Sequence, residues 1–318
     1  MNRYEHIDIA KGIGILLVVF FHLPNVDKLA LYVYWGGWIT TFYMPLFFVL
    51  SGIFFKPTNI ITRQRILLTP YLSFYTIGFI LETAKQIVKH KSANLEEFLL
   101  PFLGATHGYA NTPVWFLLAL TEMTLIGFIF SRYLSKLHSF VLSIALGVIG
   151  YYLGCFHVFS SYYISVTLLC MPFFWGGLFF KDYLLKDTKN VIIGLGLILC
   201  SWLLFFPNTP ICNVSQCYIP CSFIQFVAVS VFAIIGILLL SQVIAKKTKY
   251  LKKALIFFGT NSLIVLCTHL FFINFPSLLR FFIPYDSLSL ILGFILLMVV
   301  EIPLIRLINR KLKFLIGK

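Results

Sequence analysis

The chain has 318 residues, 60% of them apolar and only 11% charged, with Phe alone supplying 35. Lys and Arg number 25 against 11 Asp and Glu, a net charge of +14. Soluble domains carry about 25% charged residues, so a soluble globular fold is excluded, and the recurring long apolar runs exclude disorder, coiled coil and repeat solenoid as well.

The runs are continuous and about twenty residues long, which is the length of a bilayer-crossing helix, whereas an outer-membrane barrel would alternate over segments of about ten. The first run has no small-residue cleavage site after it and reads as a retained helix, not a secretion signal. In chain order the expected spans are residues 8–24, 38–55, 66–83, 113–131, 138–155, 162–180, 190–206, 222–243, 255–275 and 287–307. The expected architecture is therefore an all-α polytopic bundle of about ten transmembrane helices, forming a single domain over 1–318. Twenty of the 25 basic residues fall in alternate segments, from Arg3 and Lys11 through Arg132 and Lys246 to Lys318, and the other set holds only Lys28, Lys85, Lys89, Lys91 and Arg280. Basic residues stay on the cytoplasmic side, so both termini are expected there.

The positive charge is thus spread over membrane-flanking loops, where it sets topology and favours anionic lipid headgroups, and nucleic-acid binding is not expected. Most loops are short. The one long connection, over 83–112, carries Lys85, Lys89, Lys91, Glu96, Glu97 and His107 and is expected to lie over the outer end of the bundle. Cys155, Cys170, Cys200 and Cys267 read as small buried hydrophobes. Cys212, Cys217 and Cys221 crowd the loop between the seventh and eighth spans, where a disulfide between two of them is one of two open arrangements in an oxidising compartment. No His accompanies them, so no metal site is expected.

Ionisable residues in a bilayer are costly and each poses a functional question. The first span reads Asp8-Ile-Ala-Lys11-Gly12-Ile and runs apolar to His22. Eleven residues at 100° each make 1100°, about 20° past three full turns, so Lys11 and His22 share a stripe with about 16 Å between them along the axis. Asp8 joins it one turn below Lys11. A polar stripe on an apolar helix points to an internal cavity, with Lys11 near the inner mouth and His22 in the outer half. Spacing alone leaves a second arrangement open, in which Asp8 caps the helix, Lys11 snorkels and His22 is interfacial. Glu122, His269 and Glu301 are further polar residues within spans, and Ser51-Gly52 reads as a close-packing pair, not a nucleophile.

At these residues the chain resembles the membrane-bound acyltransferase-3 family, whose members O-acylate sugars and other envelope molecules in bacteria. The resemblance rests on Asp8-Ile-Ala-Lys11-Gly12-Ile with His22, a basic residue and a His separated by ten positions. It continues through Phe42-Tyr-Met-Pro45-Leu-Phe-Phe-Val-Leu-Ser51-Gly52, Arg63 and Arg65, Pro70-Tyr71, Pro113-Val-Trp115-Phe116-Leu117, and Gly259-Thr-Asn261-Ser262-Leu with His269. Many members have Arg where this chain has Lys11, and Lys attracts phosphate as a point charge without the bidentate fork.

The resemblance implies an O-acetyltransferase of the bacterial inner membrane, using acetyl-CoA as co-substrate with no tightly bound cofactor. The acceptor it implies is a hydroxyl of an envelope glycan or lipid-linked sugar. His22, Lys11 and Asp8 are then the catalytic set, with His22 as general base or as acyl carrier. Lys11, Arg63, Arg65 and Ser51 fall on the donor side, where cations would hold the phosphates. Glu122, His269, Trp115 and Tyr71 fall on the acceptor side, with Tyr43 as a further stacking candidate. A transporter or flippase of a lipid-linked saccharide is the alternative that intramembrane charges also fit; a glycan polymerase would carry a large Arg-rich outer loop, which is missing here.

Overall fold

The computed structural model describes residues 4–89, 99, 112–156, 158, 161–188, 190–205, 211–279 and 286–318. Most of the long 83–112 connection, with Lys91, Glu96, Glu97 and His107, lies outside the described residues, as do Arg3, Lys189 and Arg280.

The described residues are mainly helical: α1 (Glu5–Phe21), α2 (Ala30–Ile53), α3 (Ile60–Val88), α4 (Trp115–Tyr133), α5 (Lys136–Cys155) and α6 (Ile164–Phe179), then the short α7 (Lys181–Leu185). There follow α8 (Val191–Phe205), α9 (Phe223–Lys247), α10 (Tyr250–Thr260), α11 (Ser262–Thr268), the short α12 (Phe275–Leu279) and α13 (Asp286–Lys311). Among the described residues the only pairing outside helices is an isolated antiparallel bridge, Asn213 with Tyr218. Helix lies over each of the ten expected segments. Among the described residues six helices, α2, α3, α4, α5, α9 and α13, hold stretches long and apolar enough to cross a membrane, and the bent pair α10–α11 makes up to seven. Helices α6 and α8 are equally apolar but shorter, at 16 and 15 residues.

Two differences from the sequence expectation bear on function. Helix α1 stops at Phe21, so His22 is its C-cap and not an interior residue. The ninth expected span is broken at Asn261, where α10 and α11 meet at 66°. The Asn261 amide donates to the Phe257 carbonyl at 2.8 Å, and its side-chain oxygen accepts from Asn309 of α13 at 2.7 Å, so the break has its own polar partners. In hydrocarbon an interrupted helix needs such replacements for its lost backbone bonds.

Helix α1 is central, packed against α2, α9, α10 and α11. Its approach to α10 is backbone on backbone: a Cβ on Gly12 would overlap the Leu255 carbonyl, and one on Gly259 would overlap the Asp8 carbonyl. The two Gly-containing motifs at opposite ends of the sequence are thus one helix crossing, of the small-residue type that lets membrane helices approach closely. Gly52 and Gly177 do the same for α2 and α6, each set against the other helix's backbone at Phe174 and Val49. At the N-terminal end of α1, Glu5 pairs with Lys252 of α10 at 2.6 Å. These crossings fix the rotation of α1, and with it the direction in which Lys11 and His22 point.

Candidate active site

Helix α1 presents Lys11, Ile15, Val18 and His22 along one face, at i, i+4, i+7 and i+11. The lower pair opens on one cavity and the upper pair on another. The cavity nearer the N-terminal end of α1, named inner after the expected orientation, is about 280 Å³ and is lined by Lys11 and Ile15 of α1, Ser51 and Phe54 of α2, Arg63 of α3 and Ser262 at the α10–α11 bend. The cavity nearer the C-terminal end of α1, named outer on the same basis, is about 370 Å³ and is lined by His22, Tyr32, Tyr43, Trp115, Tyr163 and the loop from Ile211 to Gln216. The sequence expectation of one cavity running past both residues is corrected: Lys11 and His22 line separate cavities. Met44 and Leu266 belong to the walls of both.

In the inner cavity the Lys11 ammonium lies over the Phe54 ring, 5.6 Å from its centroid. Asp8 below it and Arg63 across from it both act on it electrostatically. The Arg63 guanidinium donates to the Ser51 carbonyl at 3.5 Å and lies 5.9 Å from the Phe55 ring centroid. Its buried Nε has no hydrogen-bond partner among the described residues. Two cations and an uncommitted donor in one small chamber form an anion-binding arrangement. Arg65 is exposed and borders neither cavity. Two residues along a helix is 200° of rotation, so Arg63 and Arg65 cannot face the same chamber.

In the outer cavity His22 Nδ1 lies 2.6 Å from the Val18 carbonyl oxygen. A carbonyl only accepts, so in the neutral ring Nδ1 carries the proton and Nε2 holds the lone pair, the form a general base needs. His269, fully buried, stands edge-on behind it with ring centroids 5.2 Å apart. The His269 Nδ1–H is spent in the same way on the Val265 carbonyl at 2.9 Å. His269 thus contacts the His22 ring and borders neither cavity.

The other acceptor-side expectations divide. Trp115 lines the outer cavity, 5.9 Å from the Tyr163 ring. Glu122 and Tyr71 do not line either cavity. The Glu122 carboxylate accepts from the Thr167 hydroxyl at 2.7 Å, tying α4 to α6. Tyr71 is buried and stacks on Tyr75 one turn away. Glu301, also fully buried, accepts from Thr268 at 2.8 Å and holds α13 against α11 just before His269.

Several wall residues carried no sequence signal of their own. Tyr32 and Tyr163 belong to no motif in the sequence, and Asn213, Ser215 and Gln216 sit in a loop noticeable only for its cysteines. The loop folds in because the Cys212 N–H donates to Thr40 of α2 at 3.1 Å and the Asn213–Tyr218 bridge closes the turn behind it. Tyr162 and Tyr163 both take left-handed backbone angles, φ 58° and 63°, unfavourable for bulky residues and a mark of a site held by its surroundings. Cys212, Cys217 and Cys221 are free, buried thiols, and burial pushes Cys217 up to about 12 and Cys221 up to about 11. No group of three His, Cys, Asp or Glu among the described residues is placed to hold a metal ion.

Residues 4–309 match the family model of the acyltransferase-3 group, described as an acyltransferase domain. The chain belongs to the acyltransferase-3 family. No curated protein and no solved structure matches it. The match covers both cavities and all of the elements that build them, so the acyltransferase-3 chain is a multi-pass membrane acyltransferase. That membership selects group transfer over the transport reading that intramembrane charges alone left open.

Proposed function

We propose that this acyltransferase moves an acetyl group from cytoplasmic acetyl-CoA to a hydroxyl of an envelope glycan or lipid-linked sugar at the outer face of the bacterial inner membrane. In this reading the chain crosses the membrane ten times with both termini in the cytoplasm, which is the count that the distribution of Lys and Arg supports. The observation that carries the proposal is His22, its Nδ1 engaged by Val18 and so its Nε2 left with the lone pair, lining an aromatic and polar chamber on the same helix face as Lys11 in the chamber below.

Lys11 and Arg63 hold the anionic donor, and Asp8 balances the charge on Lys11. The sugar lies in the outer cavity, where Tyr43, Trp115 and Tyr163 offer faces to its apolar side and Asn213, Ser215 and Gln216 offer hydrogen bonds to its hydroxyls. A hydroxyl is a weak nucleophile near neutral pH, so His22 Nε2 takes its proton as the oxygen bonds the acetyl carbon. The carbon–sulfur bond breaks, and the imidazolium returns the proton to the departing CoA thiolate. No tightly bound cofactor is needed. The Nδ1–H bond to Val18 stabilises the ring as it becomes charged, because the same carbonyl accepts more strongly from an imidazolium.

Deletion of the gene and mass analysis of the envelope glycans tests the reading. Loss of an acetyl-sized increment from one glycan, restored by the wild-type gene and not by a His22→Ala copy, is the expected result. Glycans unchanged in acetylation but mislocalised across the membrane would return the protein to the transport class.

A further inference from the structure

The two cavities have two wall residues in common, Met44 and Leu266. On α1 the wall passes from Ile15, in the inner cavity, to Val18, in the outer, a rise of about 4.5 Å. On α2 it passes from Phe47 to Tyr43 across Met44, and on α11 Leu266 alone borders both chambers. Met44 and Leu266 are 4% and 6% exposed, and they are the two residues that line both cavities. They come from α2 and α11, both of which pack against α1. Everything at this neck is apolar: Ile15, Val18, Met44 and Leu266.

We propose that Met44 and Leu266 form a gate between the chambers, through which the thioester end of the donor must pass to reach His22. This rests on the acetyl-CoA reading above. The charged part of the donor stays with Lys11 and Arg63, and the narrow pantetheine arm threads upward along the Ile15–Val18 face. The chemistry of the neck suits that step. An apolar opening one chain wide admits a thioester but opposes phosphate, and Met is unbranched with several rotatable bonds, able to swing aside and return. Closed, the pair keeps the cytoplasm and the outer chamber apart, so that a membrane enzyme with openings on both faces does not leak ions.

The gate is tested with purified protein in lipid nanodiscs, by acetyl transfer and by acetyl-CoA binding followed as thermal stabilisation. Leu266→Phe adds bulk to the neck without touching Lys11, Arg63 or His22. It is expected to lower kcat at least tenfold and leave donor affinity within about twofold, and Met44→Ala in the same chain is expected to recover most of the loss. A folded Leu266→Phe protein that transfers at the wild-type rate, or one that Met44→Ala does not rescue, overturns the gate.

A second measurement needs no activity. In sealed right-side-out vesicles a small membrane-impermeant thiol reagent added outside is expected to modify Ser51→Cys when Met44 and Leu266 are both Ala, and not when both are intact. Equal modification in the two backgrounds overturns the gate whatever the reaction. A wild-type protein that consumes no acetyl-CoA would instead refute the donor reading, so the two failures are distinguishable.

Discussion

The sharpest test of the chemistry is His22→Asn. The Asn side-chain amide nitrogen takes nearly the place of Nδ1, so the bond to the Val18 carbonyl, 2.6 Å in the native protein, survives. What disappears is the far edge of the ring, with the Nε2 lone pair and part of the edge-on contact to His269. The lost contact is expected to cost folding no more than about 1 kcal/mol. A general base contributes roughly 10²- to 10⁴-fold to rate, and at 1.36 kcal/mol per decade its removal raises the barrier by about 3 to 5 kcal/mol. The two effects separate by size. Transfer of radiolabelled acetyl to isolated acceptor glycan, measured beside the unfolding temperature in the same detergent, should fall by at least 10² with little change in stability. A His22→Asn protein retaining more than a tenth of wild-type kcat would refute His22 as the proton acceptor, because no other side chain lining the outer cavity has a lone pair suited to the task.

Lys11→Met keeps the apolar stem over Phe54 and removes the charge. A hydrogen bond to a charged group is worth about 1.5–3 kcal/mol, so CoA titration should show donor affinity weakened by roughly 10- to 150-fold with kcat at saturation nearly unchanged; undiminished affinity would remove Lys11 from the donor site. Glu122→Gln retains an oxygen for the Thr167 hydroxyl and should leave the KM for the glycan unaltered, whereas Glu122→Leu should lower stability by about 1–3 kcal/mol in thermal unfolding. A raised acceptor KM in the Gln variant would restore Glu122 to the sugar site. Cys217 and Cys221 ionise near 12 and 11 in the folded protein, above the usual thiol value of about 8.5. Their folded pKa values are raised, so their contribution to stability is complete below about pH 8.5 and is lost as pH climbs toward 11 and 12. Unfolding midpoints measured from pH 7 to 11 should fall at the alkaline end, and Cys217→Ser with Cys221→Ser should flatten that fall.

Much of the fold was legible in the sequence. Composition and run length report directly on the solvent a segment must face, and helical periodicity is local, so membrane class, helix positions and the shared face of Lys11 and His22 follow from neighbours in the chain. The Gly12 and Gly259 motifs were visible as motifs, but only packing shows them to be the two sides of one crossing. Two expectations, Arg65 on the donor side and Glu122 on the acceptor side, were decided by direction: Arg65 is turned to the surface, and Glu122 is engaged by Thr167, 45 residues along the chain.

What only the tertiary structure decided is who shares a wall. His22 meets His269 from the far end of the sequence, the 211–216 loop closes the outer chamber through a bond to Thr40, 172 residues away, and Met44 with Leu266 splits one expected seam into two chambers. Apolar surface gains no hydrophobic energy by facing another helix instead of lipid. The pairing of helices therefore leaves little trace in hydropathy, and depends on close backbone contacts and buried hydrogen bonds between residues far apart in the chain.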